Sequence, residues 1–195
     1  MDWYEEEVEH LEKEGLKAGY DSEIIFYGSS SIRLWKTLSN DFPKKRVINL
    51  GFGGSTLAAC VWFFQRIMIN YQPKALIFYA GDNDLSDGRN PEEVFIFFQQ
   101  LMAHTANRFG NLPCYFISLK LSPSRQHLAE KFIYTNKLIE NEIIEHSKNW
   151  TFIDVFKKMI DESGKPLPEL YDGDGLHLSE KGYQLWREII NSFLT

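Results

Sequence analysis

The chain has 195 residues, of which 44% are hydrophobic and 15% aromatic, and its formal net charge is −6 at pH 7. This length and apolar content are enough for one substantial buried core, so we expect a single domain over residues 1–195. The acidic balance offers no basic patch for phosphate groups. It argues against nucleic acids and anionic membrane surfaces as partners and favours a small, uncharged substrate.

The first 19 residues predict an amphipathic helix packed on or beside this domain. Tyr4, Val8 and Leu11 share one face, glutamates mark the other, and Ala18-Gly19 is expected to end the helix. This acidic start lacks the basic end, apolar stretch and cleavage site of a secretory signal, and no apolar run is long enough to span a bilayer. We therefore expect a cytoplasmic protein without a membrane span.

Alternating strand and helix patterns occupy the rest of the chain. The apolar runs that predict strands are 24–27, 46–50, 75–80, 114–119 and 150–155. The helical patterns are 56–70, 91–109, 126–147 and 179–194. Because the strand runs are continuously apolar, they indicate a parallel sheet covered by helices on both faces. The predicted fold class is α/β, doubly wound.

Ligands of such sheets bind beyond the carboxyl ends of the strands, so the loops there are the places to search. The first strand ends at Gly28 and is followed by Ser29, Ser30 and Ser31. A hydroxyl at this strand-to-helix turn can lie beside unpaired helix-start N–H groups, which favour developing negative charge. The same serines also fit a simple turn with an N-cap, or a phosphate-binding turn of the flavodoxin kind.

The loops after the second and third strands offer hydrogen-bond donors. Gly51, Gly53 and Gly54 let a backbone N–H approach a ligand closely, although turn geometry alone also calls for glycine. Asn83 places a side-chain amide at the same sheet edge, where it can donate to an oxyanion. Asparagine is otherwise common there as an Asx-turn residue.

The last loop carries a carboxylate and an imidazole. Asp174 precedes His177 by three residues, just ahead of a helix that Ser179 can cap. A histidine held by an aspartate is an oriented base of the kind that activates a serine. Taken alone, a pair with this spacing is more often part of a solvated acidic loop in which the histidine only packs.

Metal and cofactor sites are not indicated by the remaining residues. Asp82 and Asp84 alternate as in a calcium loop, but Asp87 stands where that loop requires glycine. Cys60 and Cys114 lie in apolar contexts without disulfide or zinc spacing, so we expect buried, inert thiols. We predict neither a metal nor a cofactor.

Together, four blocks of sequence resemble the SGNH, or GDSL-like, hydrolase superfamily, in its small GSSS-type branch. They are Tyr27-Gly28-Ser29-Ser30, the stretch 49–56, Gly81-Asp82-Asn83-Asp84 and Asp174 to His177. The resemblance implies a three-layer α/β/α sandwich, flavodoxin-like, with five parallel strands in the order 2-1-3-4-5. It also implies hydrolysis of a carboxylic ester through a covalent acyl-enzyme.

The resemblance also assigns roles to residues. Ser30, two residues after Gly28, would be the nucleophile, and Asp174 and His177 would complete the triad. The oxyanion hole would use the N–H groups of Ser30 and Gly54 and the side-chain amide of Asn83. One departure from the common pattern is serine rather than aspartate at position 29.

The substrate is less well indicated than the reaction. Members of the family act on short-chain esters, acetylated sugars, lysophospholipids and thioesters. Phe52, Leu121 and His127 are candidates for lining the pocket, together with the loop 120–127, since they lie at or just after the sheet edge. The alternative functions are a flavodoxin-like module that binds a phosphate or flavin, and a non-catalytic interaction protein on the same fold.

Overall fold

A computed structural model describes residues 2–18 and 23–194 and contains a five-stranded parallel sheet. The strands are β1 (Ile24–Gly28), β2 (Val47–Gly51), β3 (Ala75–Tyr79), β4 (Cys114–Ile117) and β5 (Trp150–Ile153). They lie in the order β2-β1-β3-β4-β5, and every neighbouring pair is parallel. The predicted fold class and strand order are confirmed. All residues of β1 and β3 are buried, as continuously apolar runs require.

Helices cover the sheet. They are α1 (Glu5–Ala18), α2 (Ser30–Arg33), α3 (Leu38–Asp41), α4 (Leu57–Met68), α5 (Asp82–Ser86), α6 (Pro91–Phe109), α7 (Ala129–His146) and α8 (Glu180–Asn191). Short 3-10 turns occupy Asp2–Tyr4, Pro123–Leu128, Phe156–Lys158 and Pro168–Leu170. Among the helices of the described ranges, none has the length and apolar character needed to cross a membrane.

The chain-local signals explain where several helices begin and end. Pro91 is the first residue of α6, and Asn90 and Glu93 form a capping box in front of it. The helix predicted over 126–147 begins later than expected, because residues up to Leu128 form a 3-10 turn in which Arg125 has non-helical dihedral angles. At the amino terminus α1 ends at Ala18, and the predicted end residue Gly19 lies outside the described part of the chain.

The amino-terminal 3-10 turn and α1 pack together against α4 and the loop after β2. The ring of Tyr4 meets those of Phe52 and Phe63 edge-on, at centroid distances of 5.5 and 6.2 Å. Arg66 of α4 pairs with Glu5 and Glu12 of α1. This contact fixes α1 beside the loop that follows β2.

Strand register brings the functional loops together. Gly28 lies opposite Gly51 of β2 and Tyr79 of β3, so the loops after these three strands leave the sheet side by side. Gly28 has φ +147°, and a Cβ there would lie 1.9 Å from the Tyr79 carbonyl oxygen. Only glycine allows β1 and β3 to approach this closely at the point where the serine loop begins.

Candidate active site

Of the three consecutive serines, only Ser30 offers its hydroxyl group to the surface. Ser29 and Ser31 are 1% and 2% exposed, whereas Ser30 is partly exposed as the first residue of α2. The Ser29 N–H donates to Tyr79 O at 2.9 Å, which ties the turn to β3. Since Ser30 is at the first position of a helix, its N–H has no acceptor within that helix.

Ser30, His177 and Asp174 form a continuous hydrogen-bonded chain. His177 Nε2 lies 3.1 Å from Ser30 Oγ, and His177 Nδ1 lies 2.6 Å from Asp174 Oδ2. An ionised carboxylate can only accept, so Nδ1 carries the hydrogen and Nε2 is left to accept from the Ser30 hydroxyl. The geometry is that of a serine next to an oriented base.

The Asp174 carboxylate is half exposed, and hydrogen bonds stabilise its ionised form. Backbone N–H groups of Leu176 and His177 donate to its Oδ1 at 2.8 and 3.0 Å. The Leu176 N–H, followed by the His177 side chain, lowers the pKa of Asp174 to about 2. The same bonds close the loop, so one carboxylate both shapes the turn and orients the imidazole.

Contacts away from the reacting atoms also join the segment that carries Ser30 to the segment that carries His177. Tyr183 of α8 donates its hydroxyl to Ser31 O at 3.1 Å, and its ring packs on Trp35 at 5.1 Å. Trp35 in turn contacts Trp186 of α8 at 6.1 Å. Since α8 starts just after His177, these contacts hold the base loop against α2.

The predicted donors of the second and third loops lie in polar surroundings. Asn83 Nδ2 donates to Ser55 O at 2.9 Å, and the Asn83 oxygen accepts from Arg125. Gly54 is exposed, has φ +64°, and meets no atom within 4 Å of where a Cβ would stand. Its carbonyl accepts from the Tyr4 hydroxyl at 3.0 Å, while Glu7 Oε2 accepts from the neighbouring Gly53 N–H at 2.6 Å.

Two of the three predicted substrate-lining residues belong to the core instead. Phe52 and Leu121 are both 0% exposed. Phe52 packs in an aromatic cluster with Tyr4 and Tyr27, and the prediction of a lining role was wrong because its ring points into this core. Leu121 is likewise enclosed, and its carbonyl accepts from the Tyr171 hydroxyl at 2.6 Å. His127 is exposed on the turn before α7, and its role stays a prediction.

The remaining acidic and thiol candidates have structural roles. Asp84 accepts from the first N–H groups of α4, at Leu57 and Ala58. Its carboxylate therefore caps that helix and does not serve as a ligand in a calcium-binding loop. Within residues 2–18 and 23–194, no cluster of three or more metal-ligating side chains occurs. Cys60 and Cys114 are buried, as predicted, and burial raises the pKa of both thiols.

Sequence reasoning missed a group of charges under the site, which we call the charged cluster: Asp82, Lys120 and Arg125. Arg125 and Lys120 lie 3.0 and 3.9 Å from Asp82 Oδ2. Lys120 also donates to Leu176 O at 2.9 Å, one residue before His177. The stretch 120–127 was expected at the sheet edge, but no local pattern indicates which of its side chains turn inward to meet an aspartate about forty positions earlier.

A hydroxyl, an imidazole and a carboxylate in hydrogen-bonding order at the edge of an α/β sheet are typical of serine hydrolases as a class. The model of the GDSL-like Lipase/Acylhydrolase family matches residues 17–185, and the chain belongs to that family. The protein is therefore a hydrolase that acts on ester bonds, and the resemblance seen in the sequence is confirmed. Among curated proteins, no sequence matches the chain.

Solved structures share the fold at low sequence identity. A protein from Streptococcus pneumonia with the provisional name platelet activating factor has a TM-score of 0.86 at 19% identity, over 100% of this chain and 95% of that one. A GDSL-like lipase from Bacteroides thetaiotaomicron gives 0.78 at 20% identity, over 95% of each chain. A Bacteroides fragilis protein provisionally named an acylhydrolase gives 0.77 at 21% identity, over 89% and 88%.

Proposed function

We propose that the protein is a serine esterase in which Ser30, His177 and Asp174 form the catalytic triad. The observation that carries the proposal is the chain of contacts from Ser30 Oγ through the imidazole to Asp174, at 3.1 and 2.6 Å. Its substrate is a small carboxylic ester: an acetyl or short acyl ester, a lysophospholipid or an acylated sugar. The net charge of −6 also favours an uncharged ester over a polyanion.

Acylation begins when Ser30 Oγ attacks the carbonyl carbon of the ester and His177 Nε2 takes the hydroxyl proton. Asp174 holds the imidazole in the tautomer that accepts at Nε2 and stabilises the imidazolium that forms. The carbonyl oxygen becomes an oxyanion, for which the proposed donors are the N–H groups of Ser30 and Gly54 and the Asn83 amide.

Collapse of this intermediate breaks the ester C–O bond, and the imidazolium returns its proton to the leaving alkoxide, which departs as an alcohol. Water then attacks the acyl-enzyme with His177 again as base. The second collapse releases a carboxylic acid and restores the Ser30 hydroxyl. In both halves of the cycle His177 is the group that takes up the proton and gives it back.

The test is hydrolysis of p-nitrophenyl acetate, butyrate and octanoate by the wild type and by Ser30→Ala. We expect the variant to lose the covalent step and to show no turnover above the uncatalysed rate. Ser29→Ala is the matched control, because it removes a neighbouring buried hydroxyl that has no hydrogen-bond partner among residues 2–18 and 23–194. It should fold and turn over like the wild type, since no unpaired partner is left behind.

A fluorophosphonate probe separates the possible failures. Labelling of Ser30 without hydrolysis of the three esters would keep the nucleophile and direct the search to other acyl groups. Equal hydrolysis by wild type and Ser30→Ala, with no labelling, would overturn the proposal. It would bring back the phosphate-binding and non-catalytic alternatives.

A further inference from the structure

The side chain of Arg125 lies directly against the amide of Asn83. Its Nη2 donates to Asn83 Oδ1 at 2.7 Å, and its Nη1 donates to Asp82 Oδ2 at 3.0 Å. The arginine side chain is only 11% exposed, so it is held in place rather than extended into solvent. One guanidinium thus bonds the first two residues of α5, the second of which carries a proposed oxyanion donor.

These contacts determine which way the Asn83 amide faces. Its oxygen accepts from Arg125, which can only donate, and its nitrogen donates one hydrogen to Ser55 O at 2.9 Å. A flipped amide would set NH₂ against the guanidinium and an oxygen against a carbonyl. The observed orientation leaves the second Nδ2 hydrogen available for a ligand.

Arg125 is fixed in turn by its ion pair with Asp82, within the charged cluster. Asp82 is 5% exposed and Lys120 is 1% exposed, and both cations share the single carboxylate. Two positive charges against one negative charge leave the cluster with an excess of +1 while Lys120 is protonated. Such a fixed charge beside the partly buried Asn83 amide favours an anion that forms in front of that donor.

We propose that Arg125 is a positioning residue of the oxyanion hole, acting through Asn83. It fixes the amide orientation, and its charge-assisted hydrogen bond polarises the amide so that Nδ2 donates more strongly as the oxyanion forms. This role rests on the proposed function. The contribution belongs to the transition state, because the carbonyl of the bound ester carries far less negative charge than the intermediate.

The first experiment compares Arg125→Met and Arg125→Lys with the wild type on p-nitrophenyl acetate. Arg125→Met keeps much of the apolar stem but removes the charge and both donors. We expect it to lower kcat about tenfold with KM nearly unchanged, as for the loss of roughly one hydrogen bond made stronger in the transition state. Arg125→Lys keeps the positive charge but cannot make both hydrogen bonds, to Asp82 and Asn83, at once. Its kcat should lie between those of Arg125→Met and the wild type.

The matched control is Arg108→Met. Arg108 is likewise held by a hydrogen bond, to Ile69 O, and packs on Phe109, but it lies in the last turn of α6, which leads into the amino end of β4 at the sheet edge opposite the site. Its variant should keep wild-type kcat. Circular dichroism and thermal unfolding verify that each variant is folded, and if Arg125→Met is not, the comparison of Arg125→Lys with wild type and Asn83→Ala still decides.

A double-mutant cycle tests the route through Asn83. Asn83→Ala alone should lower kcat by roughly 10²–10³, as for one oxyanion donor. In that background, changing Arg125 should cost less than twofold more, because the group through which it acts is gone. A full additional tenfold loss, or wild-type kcat in Arg125→Met and Arg125→Lys, would overturn the inference. Neither result bears on the nucleophile, which Ser30→Ala tests separately.

Discussion

The half of the site that carries His177 is open to solvent, whereas the half that carries Asn83 rests on buried charges. The side chains of Asp174 and His177 are 50% and 27% exposed, and short hydrogen bonds hold them. Behind Asn83, the charged cluster is almost completely enclosed. A base has to exchange protons with water, whereas an oxyanion donor works best when it is already oriented and does not need to reorganise.

Removing the base gives the largest expected effect. His177→Ala leaves the Ser30 hydroxyl without a proton acceptor, so kcat on p-nitrophenyl acetate should fall roughly 10⁴-fold or more. His146→Ala is the control, because that exposed histidine of α7 pairs only with Glu142 among the described contacts. A loss of less than tenfold in His177→Ala would show that the solvent-facing half does not carry the base.

Lys120 provides a test of charge in the buried half. Burial lowers the pKa of Lys120 to about 8 from a usual value of 10.5. Between these values the unfolded chain binds more protons at this site than the folded chain does, so this group makes stability rise with pH. From pH 7.5 to 10.5, the free energy of unfolding of the wild type should gain on the order of 3 kcal/mol relative to Lys120→Met.

The measurement is urea unfolding of both proteins across that pH range, where the shared tyrosine titrations cancel in the difference. Lys13→Met, at an exposed lysine of α1 that pairs with Glu9, should give a curve parallel to the wild type. A Lys120→Met curve that is also parallel would mean that the cluster does not hold a depressed lysine.

The amino-terminal helix gives the smallest expected effect. Glu7→Ala removes the acceptor of the Gly53 N–H, so the loop before Gly54 loses one hydrogen bond to a partly exposed carboxylate. We expect kcat to fall about two- to fivefold, the equivalent of a weak hydrogen bond. Glu6→Ala, at the exposed neighbour, should leave kcat unchanged. Equal rates in both variants would show that the loop keeps its geometry without α1.

Much of the sheet edge was predictable from the sequence. Continuous apolar runs indicated the parallel strands, and parallel strands gather their following loops at one edge, so the serine loop after β1 and the loop with Asp174 and His177 were expected at the same edge. The choice of Ser30 among the serines came from the family resemblance, and in the structure Ser30 lies against His177, 147 positions away. Local chemistry also indicated the cap of α8, where Ser179 accepts from Gly182 N–H. Such signals work because they depend on neighbours in the chain.

The supports of the site were not predictable in this way. Arg125 meets Asp82 across 43 positions, and Glu7 meets Gly53 across 46, so neither contact has a periodic or local signature. The burial of Phe52 was also not predictable, because it depends on a contact with a distant part of the chain. A loop position suggested exposure, but the packing of α1 against α4 encloses its ring.

The packing of Trp35 on Trp186 also gives this enzyme an internal optical reporter. Trp3 and Trp62 are 76% and 69% exposed, so iodide in solution can quench their emission, while Trp35 and Trp186 are shielded at 1% and 0%. The shielded pair bridges the region just after α2 and the helix that follows His177. The fifth tryptophan, Trp150, is also shielded at 7% and packs on Phe78 and Phe98. In a Trp150→Phe variant, emission that survives the quencher therefore reports, without any substrate, whether the serine and the histidine are held together.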